Sequence, residues 1–182
     1  MYRKILVLVD NRQVTQSAID QAIGLAQVHR ADIFFFSVLP NYVYPAVDML
    51  PVADMSADDF RAQASEEASR MLSAASAWAE RCGVHNHRAM GAGADGAHCV
   101  AEAAVKRHCD LIVVGTEEQN AVVRLLSGSI VPGLISAATV PVLVCRERPI
   151  RPKRNSHLRS PFTSSPVVSR EMGARKKHEP ND

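Results

Sequence analysis

Asp10, Gly115 and the pair Gly128-Ser129 stand out among the 182 residues as a set that could hold a small anionic molecule. Asp10 ends an unbroken apolar run, Ile5 to Val9, and Gly115 ends a second, Leu111 to Val114. Gly128-Ser129 opens a short helical stretch, with Pro132 in a first turn whose N–H groups have no partner inside the helix. Such a helix start presents free N–H groups and the positive end of the helix dipole to a phosphate, and the Ser129 hydroxyl adds a hydrogen bond. The plainer reading is that Asp10 and Ser129 cap a turn and a helix, as such residues usually do.

These residues can act together only if the fold joins distant parts of the chain. The two apolar runs lack polar alternation, which marks strands covered on both faces. Between them the spacing predicts a helix over Val14 to Arg30, a strand over Ile33 to Leu39 closed by Pro40, and a long helix from Phe60 to Cys82 with Gly83 as its stop. Pro40, Pro45 and Pro51 make residues 40–57 a surface loop. A weaker strand, Val84 to Met90, carries His85, His87 and Arg88 and suits a sheet edge. A third helix follows, with Val100, Ala101, Ala104, Val105 and His108 on its inner side. After the strand from Asp110 to Val114 come a loop, Gly115 to Ser127, a helix, Gly128 to Ala137, and a last strand, Val140 to Cys145.

Strands alternating with helices imply right-handed crossovers and an α/β fold: a five-stranded parallel sheet with helices on both faces. The expected strand order is 3-2-1-4-5, which puts the polar third strand at an edge. The first and fourth become neighbours, so Asp10 and Gly115 share the crevice at the switch point.

Other patterns lose on the same grounds. Gly91, Gly93 and Gly96 satisfy GxGxxG, but the strand before them is a polar edge strand and Asp110 precedes a strand instead of ending one, so a flexible turn is the better reading. A phosphate-receiver domain needs an acid at the end of its third strand, where this chain has His87-Arg88-Ala89-Met90. His85 and His87 point to one face without a carboxylate or cysteine to complete a metal set. Cys82, Cys99, Cys109 and Cys145 form no CxxC, and Cys82, Cys99 and Cys145 read as small apolar groups.

Taken as a set, Ile5 to Asp10, Asp110 to Gly115, Leu125 to Ser129 and Val140 to Val144 resemble the universal stress protein family. The resemblance covers 1–146 and implies one domain there, with an adenine nucleotide alpha hydrolase-like fold. Nucleotide-binding members carry glycine, two residues, glycine, nine residues, then glycine and serine or threonine. Gly115 fits the first position, 119–127 supply the nine, and Gly128-Ser129 fit the last, whereas the middle glycine is Glu118, beside Glu117. Carboxylates facing phosphate oxygens cost about 4 kcal/mol at roughly 4 Å for an effective dielectric of about 20, relieved by outward rotation or by Mg²⁺. Asn11-Arg12 follow Asp10 where members often have glycine-serine, and Arg12 is placed to offset the acidic pair.

Residue by residue, the resemblance implies that Asp10 faces the ribose or adenine, Val38 packs on the base, Val114 and Gly115 line it, and Gly128, Ser129 and Ile130 hold phosphate. It implies a stress-response module whose degenerate site holds ATP or another adenine nucleotide weakly, Mg-dependent, or has lost it, and which acts through protein partners. A homodimer paired through the final strands is also implied, with Pro141 limiting where hydrogen bonds form. The alternative is a nucleotide-hydrolysing or transferring enzyme on the related fold, with Asp10 and Ser129 positioning phosphate and Mg²⁺. Glu118 argues against it, and no serine, histidine and acid arrangement or nucleophile elbow is visible, so the chain is expected not to be an enzyme.

Composition sets the outer limits. A hydrophobic content of 47% suffices for one domain. Up to Cys145 the chain has 11 Lys/Arg and 15 Asp/Glu, a net −4, while the remainder has 10 and 4, a net +6. Of that remainder, 147–182 is rich in proline and serine and is expected to be disordered. Its Arg151-Pro152-Lys153-Arg154 and Arg175-Lys176-Lys177 clusters could meet nucleic acid or acidic partners, although a solvated extension is the favoured reading. Arg3-Lys4 leads into only five apolar residues, which is no signal peptide, and no run approaches the roughly 18 to 20 needed to span a membrane. A reducing cytoplasm is the expected setting.

Overall fold

Strands and helices alternate through the residues that the computed structural model describes, 1–12, 14–40, 56–116 and 130–146. In chain order they are β1 (Lys4–Leu8), α1 (Val14–His29), β2 (Asp32–Leu39), α2 (Ala57–Arg81), β3 (Asn86–Ala92), α3 (Gly96–Lys106), β4 (Leu111–Thr116), α4 (Ile130–Ala137) and β5 (Val142–Arg146). The five strands form one parallel sheet in the order β3-β2-β1-β4-β5, as the sequence predicts.

The unbroken apolar runs are explained by two cores, one on each face. Ile5, Val7, Ile33, Phe35, Leu111 and Val113 belong to the buried cluster under α1 and α2. Their neighbours Leu6, Leu8, Phe34, Phe36, Ile112 and Val114 belong to the cluster under α3 and α4. With side chains alternating along a strand, a position of either parity must be apolar when both faces are covered. Burying each such side chain contributes about 1.5–3 kcal/mol, so the three central strands supply much of the drive to fold. At the β3 edge, His87 and Arg88 are exposed.

Two acids fix the ends of the central strands. At the amino ends, the Asp110 carboxylate accepts from the main-chain N–H groups of Arg3 (2.8 Å) and Lys4 (3.2 Å), and the Asp110 N–H donates to the Lys4 carbonyl (2.9 Å). This sets β1 against β4 in register. Asp10 occupies the opposite end.

Helix starts and stops are local. Ser56 caps α2 by accepting from the Asp59 N–H, and Asp95 caps α3 by accepting from the N–H groups of Ala97 and His98. Three helices end in one left-handed residue whose successor donates back into the last turn: Gly83 (φ 73°), with Val84 N–H to Ala79; Arg30 (φ 56°), with Ala31 N–H to Ala26; and His108 (φ 55°), with Cys109 N–H to Ala104.

The structure corrects the sequence reading at β3 and at α3. β3 runs on through Gly91 to Ala92 instead of ending at Met90. Val105 is half exposed and His108 lies past the end of α3, so neither is on its inner side. The proline loop beyond Pro40, the segment from Glu117 to Ser129 and the basic tail lie outside the described residues.

Candidate functional site

The register at the carboxyl ends of the strands locates the site. Leu8 pairs with Phe36, and the Val9 N–H donates to the Phe36 carbonyl (2.8 Å), so the next residue, Asp10, comes level with Val38. Val7 pairs with Val113, so Val9 comes level with Gly115. Asp10, Val38 and Gly115 therefore stand on three adjacent strands at one end of the sheet.

The Asp10 carboxylate is already engaged. Its Oδ1 accepts from the Arg12 main-chain N–H (3.1 Å) and from the Thr15 hydroxyl. Its Oδ2 accepts from Arg12 Nε (2.7 Å) and Nη2. Thr15 is buried in the first turn of α1, whereas the Asp10 and Arg12 side chains each keep 28% of their surface in solvent. Sequence reasoning placed Asp10 but missed this clasp. Arg12, expected to offset Glu117 and Glu118, is paired with Asp10, and those glutamates lie outside the described residues.

Gly115 is explained by packing. A Cβ there would lie 2.9 Å from Val14 Cγ1, 3.0 Å from the Val14 carbonyl oxygen and 3.1 Å from its carbonyl carbon, so the first turn of α1 rests directly on β4. The Val114 side chain is fully buried on the α3 and α4 side, which leaves only its main chain at the strand end. Val38 and Ile130 are both partly buried and meet over Gly96, the first residue of α3, whose Cβ would lie 3.7 Å from Val38 Cγ1 and 3.2 Å from Ile130 Cδ1. Ile130 thus brings an apolar side chain to the Val38 side of the crevice. Gly128 and Ser129, expected to hold phosphate, lie outside the described residues.

Two of the GxGxxG glycines, Gly91 and Gly96, also have packing roles. At Gly91 a Cβ would come within 2.5 Å of Phe36 Cζ and 2.9 Å of Cys99 Sγ. His85 and His87 stack edge to face with centroids 4.9 Å apart, and Asp32 supplies a carboxylate oxygen 3.3 Å from His85 Nδ1 that the sequence reading did not place there. Even so, no group of three metal-ligating side chains forms among the described residues. No disulfide joins the four cysteines, and burial pushes the Cys109 thiol up to about 11, keeping it a neutral apolar group at neutral pH. A groove of about 630 Å³ lies between the ends of β2 and β3 and the start of α2, but its cation, Arg61, is paired with Asp58. No helix among the described residues is long and apolar enough to cross a membrane.

Comparison with known proteins agrees with this geometry. The family model described as the universal stress protein family matches residues 1–146. A curated universal stress protein of Methanocaldococcus jannaschii is 30% identical over 151 residues, covering 81% of this chain and 84% of that protein. The crystal structure of a universal stress protein family member from Burkholderia pseudomallei is 28% identical, with a TM-score of 0.61 over 79% of this chain and 95% of its own. A universal stress protein solved in complex with cAMP shares the fold, at 23% identity and a TM-score of 0.58 over 79% and 96% of the two chains. With the family pattern, the sheet order and these relatives in agreement, the chain belongs to the universal stress protein family.

Proposed function

We propose that this chain binds an adenine nucleotide in the crevice beyond β1 and β4 and works as a binding module, not as an enzyme. One observation carries the reading: the sheet order sets the Asp10 carboxylate, the Gly115 backbone and the apolar side chains of Val38 and Ile130 at one end of the sheet. A polar anchor beside an apolar wall suits a ribose and a flat base. The cAMP complex of a protein with the same fold supports the ligand class. Against catalysis, the Asp10 carboxylate is engaged by Arg12 and Thr15 and is not left to act on water. ATP with Mg²⁺ is the finer form of this proposal and rests on Gly128-Ser129 in the sequence. Calorimetric titration with AMP, cAMP and ATP, with and without Mg²⁺, tests it. Nucleotide at about 100 times its Kd is expected to raise the unfolding free energy by about 2.7 kcal/mol. No heat and no thermal shift at millimolar nucleotide would remove the proposal.

The setting we propose is a reducing cytoplasm, in keeping with four cysteines that form no disulfide with one another, and the working form a homodimer that acts on protein partners. β5 is the outer strand of the sheet, and its Val142, Leu143 and Val144 are only partly buried. Pairing two such edges would cover them. Light scattering at high micromolar concentration is expected to read twice the chain mass; a monomer there would rule out this edge as the interface.

A further inference from the structure

Building on the nucleotide reading above, we infer that Arg12 is the specificity-determining residue of this site, making it accept phosphorylated nucleosides and refuse nucleosides. An ionised carboxylate offers about four lone-pair positions. At Asp10 four donors meet them: the Arg12 N–H, the Thr15 hydroxyl, and Nε and Nη2 of Arg12. Ribose hydroxyls and the adenine amino group approach a carboxylate as donors, so they find no acceptor while this arrangement stands.

The four donors differ in how readily they leave. The Arg12 N–H belongs to a turn that runs into α1, because the Thr15 N–H donates to the Arg12 carbonyl (3.1 Å). The Thr15 hydroxyl is held on a side chain that is 5% exposed. The guanidinium sits at the end of a long side chain with 28% of its surface in solvent. It is the exchangeable donor, and its release frees both positions on Oδ2 at once.

What draws it away must replace the carboxylate in charge and in shape. A phosphate does so, since its oxygens accept two parallel N–H bonds from a guanidinium fork as a carboxylate does. Binding is then a swap: Arg12 passes from Asp10 to the phosphate, and Oδ2 becomes available to the sugar or base. A nucleoside brings no anion, so it must break the Arg12–Asp10 pair without replacing it.

Titration of the full chain with AMP and with adenosine, in wild type, Arg12→Ala and Arg12→Lys, tests the inference. Alanine removes both side-chain donors and leaves the main-chain N–H in place. Lysine keeps the charge but cannot cover Oδ2 with a planar fork. Wild type is expected to prefer AMP over adenosine by about tenfold or more, the usual scale of one charge-assisted hydrogen bond. In Arg12→Ala, adenosine should bind about tenfold tighter than in wild type and AMP more weakly, closing the gap, while Arg12→Lys keeps a reduced preference. Should Arg12→Ala fail to give a cooperative unfolding transition, the lysine variant carries the comparison. Wild type silent toward adenosine with Arg12→Ala binding it also supports the inference. The same AMP-to-adenosine ratio in all folded variants, with binding measurable, overturns the role of Arg12 and leaves the nucleotide reading standing. Neither ligand binding to wild type or to Arg12→Ala overturns both.

Discussion

Phe35→Ala is expected to lower the unfolding free energy by about 3–5 kcal/mol, a large part of the roughly 5–15 kcal/mol that holds a typical domain together. Phe35 lies at the middle of β2, paired with Val7 on one side and Arg88 on the other, and none of its side chain reaches solvent. It belongs to the cluster that α1 and α2 close over the sheet, together with Leu72, Ala75 and Trp78. Truncation removes a ring from the centre of that layer and leaves a cavity that helices anchored elsewhere can fill only in part. The anchoring is specific, because Trp78 Nε1 of α2 donates to Asp20 Oδ1 of α1 (3.0 Å) and holds the two helices at a fixed spacing. Urea unfolding with an unchanged slope and a lower midpoint is the expected record. A loss below about 1 kcal/mol would mean that α1 and α2 do not close over β2, since a ring buried as this one is should cost far more.

The same contrast between central and peripheral positions explains what the sequence could reveal. β1, β2 and β4 were legible because burial on both faces requires apolar side chains at both parities, and runs this short suit a strand better than a buried helix. Their order followed from connection rules, and with it the meeting of Asp10 and Gly115, whereas Val38 was named only through the family resemblance. Helix ends were legible only where the residue type announced the geometry. Gly83 marks the stop of α2, but Arg30 and His108 adopt the same left-handed conformation at the ends of α1 and α3 without any such sign. His108 was therefore assigned to the inner side of a helix it has already left. The Asp10 clasp was out of reach for another reason: periodicity reports which face a residue occupies, not whether a long side chain folds back on a neighbour two positions away. Gly115 sat between these cases, since the sequence singled it out, but for a ligand, while the structure gives it a packing duty.

That duty makes Gly115→Ala the second large effect, an expected loss of about 1–3 kcal/mol from one added methyl group. The Val14 Cγ1 atom 2.9 Å from the new Cβ could rotate aside, but the carbonyl carbon and oxygen at 3.1 and 3.0 Å belong to the main chain of α1 and can move only with the helix. Displacement of that first turn would carry Thr15, and with it one of the donors that hold Asp10, so the effect should reach the crevice as well as the stability. Gly24→Ala is the matched control. Gly24 lies within the same helix with open space around it, and there the added methyl should stabilise by about 0.5–1 kcal/mol through helix propensity alone. Opposite signs from one chemical change at the two positions would tie the loss at Gly115 to the contact between α1 and β4. A Gly115→Ala protein as stable as wild type would instead mean that α1 stands off the strand, and the register that brings Thr15 to Asp10 would lose its support.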